Sequence, residues 1–229
     1  MKANKMHLYM TGFGPFRNIT ENPSATIGKT VAQQLGKDGE LSVEYEELGV
    51  NLDAVSAYFT KLEGAISERM NNDPVERVLL VHIGVQSMEE EGRLRLEVCG
   101  YNELEGFPIT ESTPMDASLE SVFVREGSSA AEATAALVER LNSAIATAER
   151  DDEGRQRPHW LISRDAGRYY CNYSLYRALQ LQKRWGGRVF AVFVHVANPL
   201  VCNNPSLAEQ TSQVESLVSG LVQIAVSEL

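Results

Sequence analysis

A cysteine and a histidine on neighbouring predicted elements are the residues best suited to chemistry in this sequence. Cys171 lies where a loop enters the predicted helix YSLYRALQLQKRW, and His195 lies near the end of the apolar run RVFAVFVHV. Open backbone N–H groups and the helix dipole favour a thiolate at a helix start. A thiolate beside an imidazole is a nucleophile with its acid–base partner. The pattern therefore predicts a Cys–His pair, provided that the fold brings the two side chains together.

A strand, a helix and a second strand are predicted to position this pair. The run HWLIS has strand length, and the following helix should end at Gly186 and Gly187. Residues 189–196 are continuously apolar, which is typical of a central parallel strand covered on both faces. Consecutive parallel strands usually lie side by side, and ligands bind beyond their carboxyl ends. We therefore expect Cys171 and His195 to meet at that edge of the sheet.

The rest of the chain alternates predicted strands with predicted helices. Strands are expected at residues 6–11, 42–48 and 77–83, the second of them peripheral. Helix starts are expected at the capping residues Asn22, Asp53 and Asn204, and a further helix within residues 128–149. Residues 93–102 should form an extended segment over the site, and residues 103–119 a surface excursion. This order predicts one α/β domain over residues 1–229, with a mostly parallel twisted sheet and helices on both faces.

Composition narrows the classes of partner and compartment. Of the 229 residues 43% are hydrophobic, yet the sequence has no apolar run of about 18 residues, so no membrane span is expected. The net charge of −10 disfavours nucleic acid and anionic membranes as partners. The first residues lack an apolar signal core, and the three cysteines show no disulfide spacing. We therefore expect a cytoplasmic protein.

Several other residues compete for roles in a site. Glu97 lies between apolar residues, where a buried carboxylate would need a partner such as a histidine ring N–H. The acidic run Glu89 to Glu91 is an alternative source of a catalytic carboxylate. Cys99 and Cys202 have the surroundings of core thiols. Of the other histidines, His7 and His159 begin strands and are expected to be structural, whereas His82 is expected either to support the site or to be a core residue.

The loop GFGPF follows the first predicted strand and should expose Phe13 or Phe16 at the crevice. The same glycines could instead cradle a phosphate. The loop lacks both a following lysine and the GxGxxG pattern, so the phosphate signal is weak.

Four motifs in this order resemble the signatures of pyroglutamyl peptidase I, the pyrrolidone-carboxylate family of cysteine peptidases. They are TGFGPF followed by NPS, the glutamate of ExxxxN at residues 97–102, SRDAGRYYCN, and VFVHV. The family pattern around the nucleophile, S-x-x-A-G-x-aromatic-x-C-N, is matched in register by Ser163, Ala166, Gly167, Tyr169, Cys171 and Asn172. The motifs span nearly the whole chain. The stretch before Glu97 is longer and more acidic than in the family.

The resemblance implies a cysteine exopeptidase that needs no metal or cofactor and removes N-terminal pyroglutamate from small peptides. Cys171 would be the nucleophile, His195 the general acid and base, and Glu97 the residue that orients the imidazole. The flat, uncharged pyroglutamyl ring would be bound by Phe13, Phe16 and Tyr170.

Two alternatives remain open at the level of the sequence. A nucleoside phosphorylase-like enzyme on a similar sheet would bind phosphate with GFGPF, and Cys171 would be incidental. A binding protein without activity would keep the peptidase fold, and the altered stretch at residues 85–95 is the reason to consider it.

Overall fold

The computed structural model describes residues 6–37, 39, 41–86, 93–124, 127, 129–145, 160–198 and 205–227. The competing candidates Glu89, Glu90, Glu91, His159 and Cys202, and the predicted cap Asn204, lie outside these residues. The described strands are β1 (Met6–Phe13), β2 (Ser42–Leu48), β3 (Arg77–Gln86), β4 (Leu94–Glu97), β5 (Cys99–Tyr101), β6 (Glu103–Leu104), β7 (Phe107–Pro108), β8 (Ser118–Glu120), β9 (Trp160–Ser163) and β10 (Val189–Ala197). The described helices are α1 (Pro23–Leu35), α2 (Leu52–Asn72), α3 (Ala130–Ala144), α4 (Tyr170–Trp185) and α5 (Leu207–Ser227).

Six of the strands form one central sheet in the order β2-β1-β3-β10-β4-β9. The strands β2, β1, β3 and β10 are parallel, β4 is antiparallel to β10, and β9 is parallel to β4. The strands β3 and β10 lie in the middle, and all nine residues of β10 are buried. The predicted mostly parallel α/β sheet is confirmed, with β2 as its peripheral strand.

One detail of the predicted sheet is wrong, because β9 and β10 are neither adjacent nor parallel. The strand β4 lies between them and sets the direction of β9. Residues 94–97 had been expected to cross over the site as an extended segment. They form a sheet strand instead, because Leu94 and Leu96 bury their side chains completely and the backbone pairs on both sides.

Helices pack on both faces of the sheet, as predicted. On one face α2 and α4 contribute residues such as Phe59 and Leu175 to a shared hydrophobic cluster. On the other face α1, α3 and α5 contribute residues such as Ile27, Leu137 and Val214. None of these helices is long and apolar enough to cross a bilayer.

Most helix ends follow the local signals in the sequence. The helix α1 begins with Pro23 behind the cap Asn22, whose side chain accepts a hydrogen bond from the backbone N–H of Ser24. The helix α4 ends at Gly186, whose φ of 58° suits glycine. The cap of α2 is Asn51 rather than the predicted Asp53. The Asn51 side chain accepts from the N–H of Ala54 at 2.9 Å, and Asp53 lies within the first turn.

The segment from residue 99 to residue 120 leaves the central sheet, and residues 103–119 lie at the surface, as predicted. The strand β5 pairs with β8, and β6 pairs with β7 as a hairpin in which Phe107 is 73% exposed. The buried side chain of Asn102 holds this segment together, because it donates to the carbonyls of Thr110 and Thr113 and accepts from the N–H of Thr110.

Candidate active site

Gly84, near the carboxyl end of β3, lies at the point where the candidate nucleophile meets the sheet. A Cβ atom at this position would lie 3.1 Å from Sγ of Cys171 and 2.7 Å from the ring of Phe193. The absence of a side chain therefore allows the sulfur to approach the strand. His195 on β10 is the register partner of Gly84. The structure thus brings Cys171 and His195 together at the expected edge, although the expected pairing of β9 with β10 does not occur.

The structure also places Glu97 against His195. Oε1 of Glu97 lies 2.8 Å from Nδ1 of His195, and both side chains are buried. The antiparallel pairing of β4 with β10 sets Glu97 opposite Phe193, two residues before His195. Because Nδ1 is engaged by the carboxylate, Nε2 is the ring nitrogen left to exchange a proton with a neighbouring group.

Charge in this cluster favours a protonated imidazole. Burial by itself lowers the pKa of His195, but Cys171 and Glu97 together outweigh burial and raise the pKa to about 9. At neutral pH His195 is therefore an imidazolium between a sulfur and a carboxylate. A sulfur beside an imidazolium that a carboxylate supports is suited to attack on a carbonyl and to proton donation to a leaving group.

The start of α4 leaves hydrogen-bond donors open beside Cys171. The cap residue Tyr169 makes no side-chain capping bond, whereas Asn22, Asn51 and Ser129 cap α1, α2 and α3 in this way. Its carbonyl accepts the first hydrogen bond of the helix, from Tyr173. Among the described residues none accepts from the N–H of Cys171, in the first turn, so this group can serve an oxyanion.

Asn172 holds the start of α4 in place. Its side chain accepts from the N–H of Tyr101 at 2.8 Å and donates to the carbonyls of Tyr101 and Glu103 at 2.9 and 2.7 Å. These bonds join the helix to the chain just after β5. Sequence reasoning gave Asn172 no role of its own, and the only signal for one was its place in the motif beside the cysteine.

The three aromatic residues expected to bind substrate lie at different depths. Phe13 is buried, with its ring 6.5 Å from the ring of Phe193, which lies 4.8 Å from the ring of His195. Phe16 is half-buried in the loop after β1, and is the aromatic residue that this loop exposes. Tyr170, the first residue of α4, is half-buried against the same hydrophobic cluster as Phe13.

Hydrogen bonds within the protein occupy the backbone of the GFGPF loop. The N–H of Phe13 donates to Oγ of Ser24, that of Gly14 to the carbonyl of Leu48, and that of Phe16 to the carbonyl of Ile19. Pro15 has no N–H to offer. This loop therefore holds no free N–H group at these positions with which to cradle a phosphate.

The remaining described candidates lie in the core. His82 is completely buried with Nδ1 2.8 Å from Oγ1 of Thr11, and burial lowers its pKa to about 3. His7 begins β1, and its pKa is lowered, chiefly by burial. Cys99 is a buried free thiol whose pKa burial raises. Of the two expectations for His82, the structure places it as a hydrogen-bonded core residue.

The chain resembles solved peptidase structures over nearly its whole length. It superposes on pyroglutamyl peptidase I from Bacillus amyloliquefaciens with a TM-score of 0.63 and 17% sequence identity, covering 95% of this chain and 96% of that one. For pyrrolidone carboxyl peptidase from Thermococcus litoralis the TM-score is 0.62 and the sequence identity 18%, covering 97% of this chain and 96% of that one. For a mutant of pyrrolidone carboxyl peptidase from Pyrococcus furiosus the TM-score is 0.62 and the sequence identity 18%. The superposition covers 96% of this chain and 99% of that one.

These similarities confirm the resemblance at the level of the fold. No protein-family model matches the chain, and no curated protein matches it in sequence.

Proposed function

We propose that this protein is a cysteine peptidase that removes pyroglutamate from the N-terminus of peptides. The observation that carries the proposal is the cluster around the buried side chain of His195. Glu97 contacts its Nδ1 atom, Cys171 lies beside the ring, and together they raise the pKa of the imidazole. The fold shared with pyroglutamyl peptidases supports the same activity. The free thiols Cys99 and Cys171 suit a reducing, cytoplasmic setting.

In the first half of the reaction the thiolate of Cys171 attacks the carbonyl carbon of the pyroglutamyl residue. The carbonyl oxygen becomes an oxyanion that the open N–H at the start of α4 can stabilise. The intermediate collapses as the C–N bond breaks, and His195 gives its proton from Nε2 to the departing amine. Glu97 holds the Nδ1–H and stabilises the charged imidazole before the transfer.

In the second half, water hydrolyses the thioester. Neutral His195 takes a proton from the water as its oxygen attacks the acyl carbon, and the C–S bond breaks to release pyroglutamate. The sulfur leaves as a thiolate and the imidazole is again protonated, which restores the starting state. Every step uses groups of this chain, the substrate and water.

Selection for pyroglutamate is proposed to come from Phe13, Phe16 and Tyr170. Phe13 ends β1, Phe16 lies in the loop that follows, and Tyr170 begins α4. An uncharged lactam ring fits an aromatic setting, whereas an ordinary ammonium N-terminus would be costly to bury there. The phosphorylase alternative is disfavoured by the occupied N–H groups of the GFGPF loop.

The first test is turnover of a pyroglutamyl chromogenic amide. The wild-type protein should hydrolyse it without added phosphate and lose activity after thiol alkylation. Cys171→Ala should lower kcat/KM by about 10⁴-fold or more, since nucleophile and base act as a unit. Cys99→Ala is the matched control and should stay active. Wild-type protein without turnover would favour the binding-protein alternative, and a Cys171→Ala variant with full activity would remove the thiol from the mechanism.

A further inference from the structure

Arg17 adopts a backbone conformation that is unfavourable for its residue type. Its φ is 52°, and among the described non-glycine residues only Arg17 and Glu105 have positive φ. A side chain with a Cβ is disfavoured in this left-handed region. Arg17 follows Phe16 in the loop after β1, so the unfavourable conformation lies next to the proposed substrate slot. Such conformations concentrate at functional sites.

The guanidinium of Arg17 extends from that loop towards the start of the catalytic helix. Its central carbon lies 4.8 Å from the centroid of the Phe16 ring and 5.8 Å from that of Tyr169. Tyr169 is 52% exposed and stands two residues before Cys171. Two aromatic rings therefore hold the cation between the loop after β1 and the start of α4, and Arg17 remains exposed to solvent.

Arg17 differs in its partners from another arginine near the start of α4. Arg168 forms ion pairs with Glu103 and Asp165. Within the described part of the chain, Arg17 forms no ion pair with a carboxylate and contacts the two rings. The protein carries a net charge of −10, so the Arg17 cation gives an approaching anion a local attraction that the overall charge does not.

We infer that Arg17 binds the C-terminal carboxylate of short pyroglutamyl peptides, so that the protein favours di- and tripeptides with a free C-terminus. The inference rests on the proposed function and specifies its substrate class. The pyroglutamyl residue is uncharged, so the leaving portion carries the negative charge of such a peptide. A planar guanidinium matches a carboxylate in two parallel hydrogen bonds. Each added residue moves the carboxylate by about 3.5 Å, which limits the peptide length that one side chain can recognise.

The test compares two substrates that differ only in charge, pyroglutamyl-alanine and pyroglutamyl-alaninamide. Wild-type protein should show a kcat/KM about five- to tenfold higher for the free acid, as expected for a charge-assisted pair that stays partly solvated. Arg17→Gln should remove this preference by lowering the value for the acid alone. Lys29→Gln removes a cation from an exposed position on α1 and should keep the preference.

A second variant separates charge from backbone strain. Arg17→Gly also removes the cation, but it suits the φ of 52° and so preserves the loop. It should lose the preference for the acid just as Arg17→Gln does. A preference that survives in both variants, or an equal loss for acid and amide, would give Arg17 a structural role and overturn the inference.

Two further comparisons identify the carboxylate and separate this inference from the proposed function. If pyroglutamyl-aspartyl amide outcompetes pyroglutamyl-asparaginyl amide by the same factor, Arg17 recognises acidic side chains and the assignment to the C-terminus is wrong. Turnover of the chromogenic amide with equal rates for acid and amide peptides overturns only the inference. No turnover of any substrate overturns the proposed function, and the inference with it.

Discussion

At the scale of single residues, the site joins three groups whose charges depend on one another. An isolated buried imidazole favours its neutral form, as His82 does with a pKa lowered to about 3. His195 is equally inaccessible, yet its pKa rises to about 9 because a sulfur and a carboxylate surround it. The contrast between these two buried histidines indicates that neighbouring charge, and not burial, decides which one is suited to proton transfer.

Glu97→Gln tests the role proposed for the carboxylate. The variant keeps the shape of the side chain but loses the charge, so the imidazolium is less stable and its ring orientation less well defined. We expect kcat to fall by about 10²-fold or more with little change in KM, because the lost interaction acts mainly in the transition state. Alkylation of Cys171 at neutral pH should also become slower than in the wild type.

The matched control replaces Glu89, Glu90 and Glu91 with glutamine in one variant. This triple variant should keep a kcat close to that of the wild type. An inactive triple variant beside a Glu97→Gln variant of normal activity would assign the carboxylate to the acidic run instead.

At the scale of elements, the site depends on close approaches that only glycine permits. Gly12 near the end of β1 lies so close to α1 that a Cβ would be 2.3 Å from the carbonyl oxygen of Ser24. That contact and the Ser24 hydroxyl hold the end of β1, with Phe13, against the helix. Gly84 on β3 does the same for Cys171 on α4. The sheet and its helices thus position the nucleophile through backbone spacing as well as through side chains.

Gly84→Ala should therefore damage activity more than stability. Its Cβ would press on Sγ of Cys171 and on the ring of Phe193, and displace the sulfur from His195. We expect kcat/KM to fall by about 10²-fold, the usual consequence of misplacing a reacting group by about 1 Å. Steady-state kinetics and thermal unfolding of the same preparation measure the two effects.

Gly64→Ala provides the control for this substitution. Gly64 lies exposed within α2, and a Cβ there would meet nothing within 4 Å. This variant should keep full activity and gain about 0.5–1 kcal/mol of stability, as glycine-to-alanine changes do in helices. A fully active Gly84→Ala variant would show that the sulfur does not need this approach to the strand.

At the scale of the whole molecule, a buried histidine on a central strand couples folding to pH. The pKa of His82 is lowered in the fold, so the stability present above its ordinary value of 6.5 is lost as the pH falls towards 3. The effect amounts to about 1 kcal/mol per pH unit within this window.

The free energy of unfolding should therefore decline as the pH falls below about 6.5. Denaturant unfolding from pH 4 to 7 measures this profile. His82→Gln should make the decline shallower. A decline of unchanged slope in His82→Gln would contradict the neutral state assigned to His82.

Local chemistry in the sequence determined the elements and one half of the site. The cap at Asn22, the end of α4 at Gly186 and the apolar run of β10 depend on residues close together in the chain, so each was predictable without the rest of the molecule. The mostly parallel sheet followed from the alternation of such elements. The expectation that Cys171 and His195 meet was correct, although it was argued from a pairing of β9 with β10 that does not occur. The two residues meet because the start of α4 and the end of β10 lie at the same edge of the sheet.

Tertiary structure decided what depends on contacts between distant segments. The insertion of β4 between β9 and β10 follows from the burial of Leu94 and Leu96 and from pairing with two strands at once, which no local pattern encodes. That insertion is what brings Glu97 against His195. For this contact the sequence offered only the apolar neighbours of Glu97 and a resemblance. The place of Arg17 against Tyr169 likewise depends on how the loop after β1 packs against α4. Local propensity selects an element, but its neighbours are selected by the burial and hydrogen bonding of the whole chain.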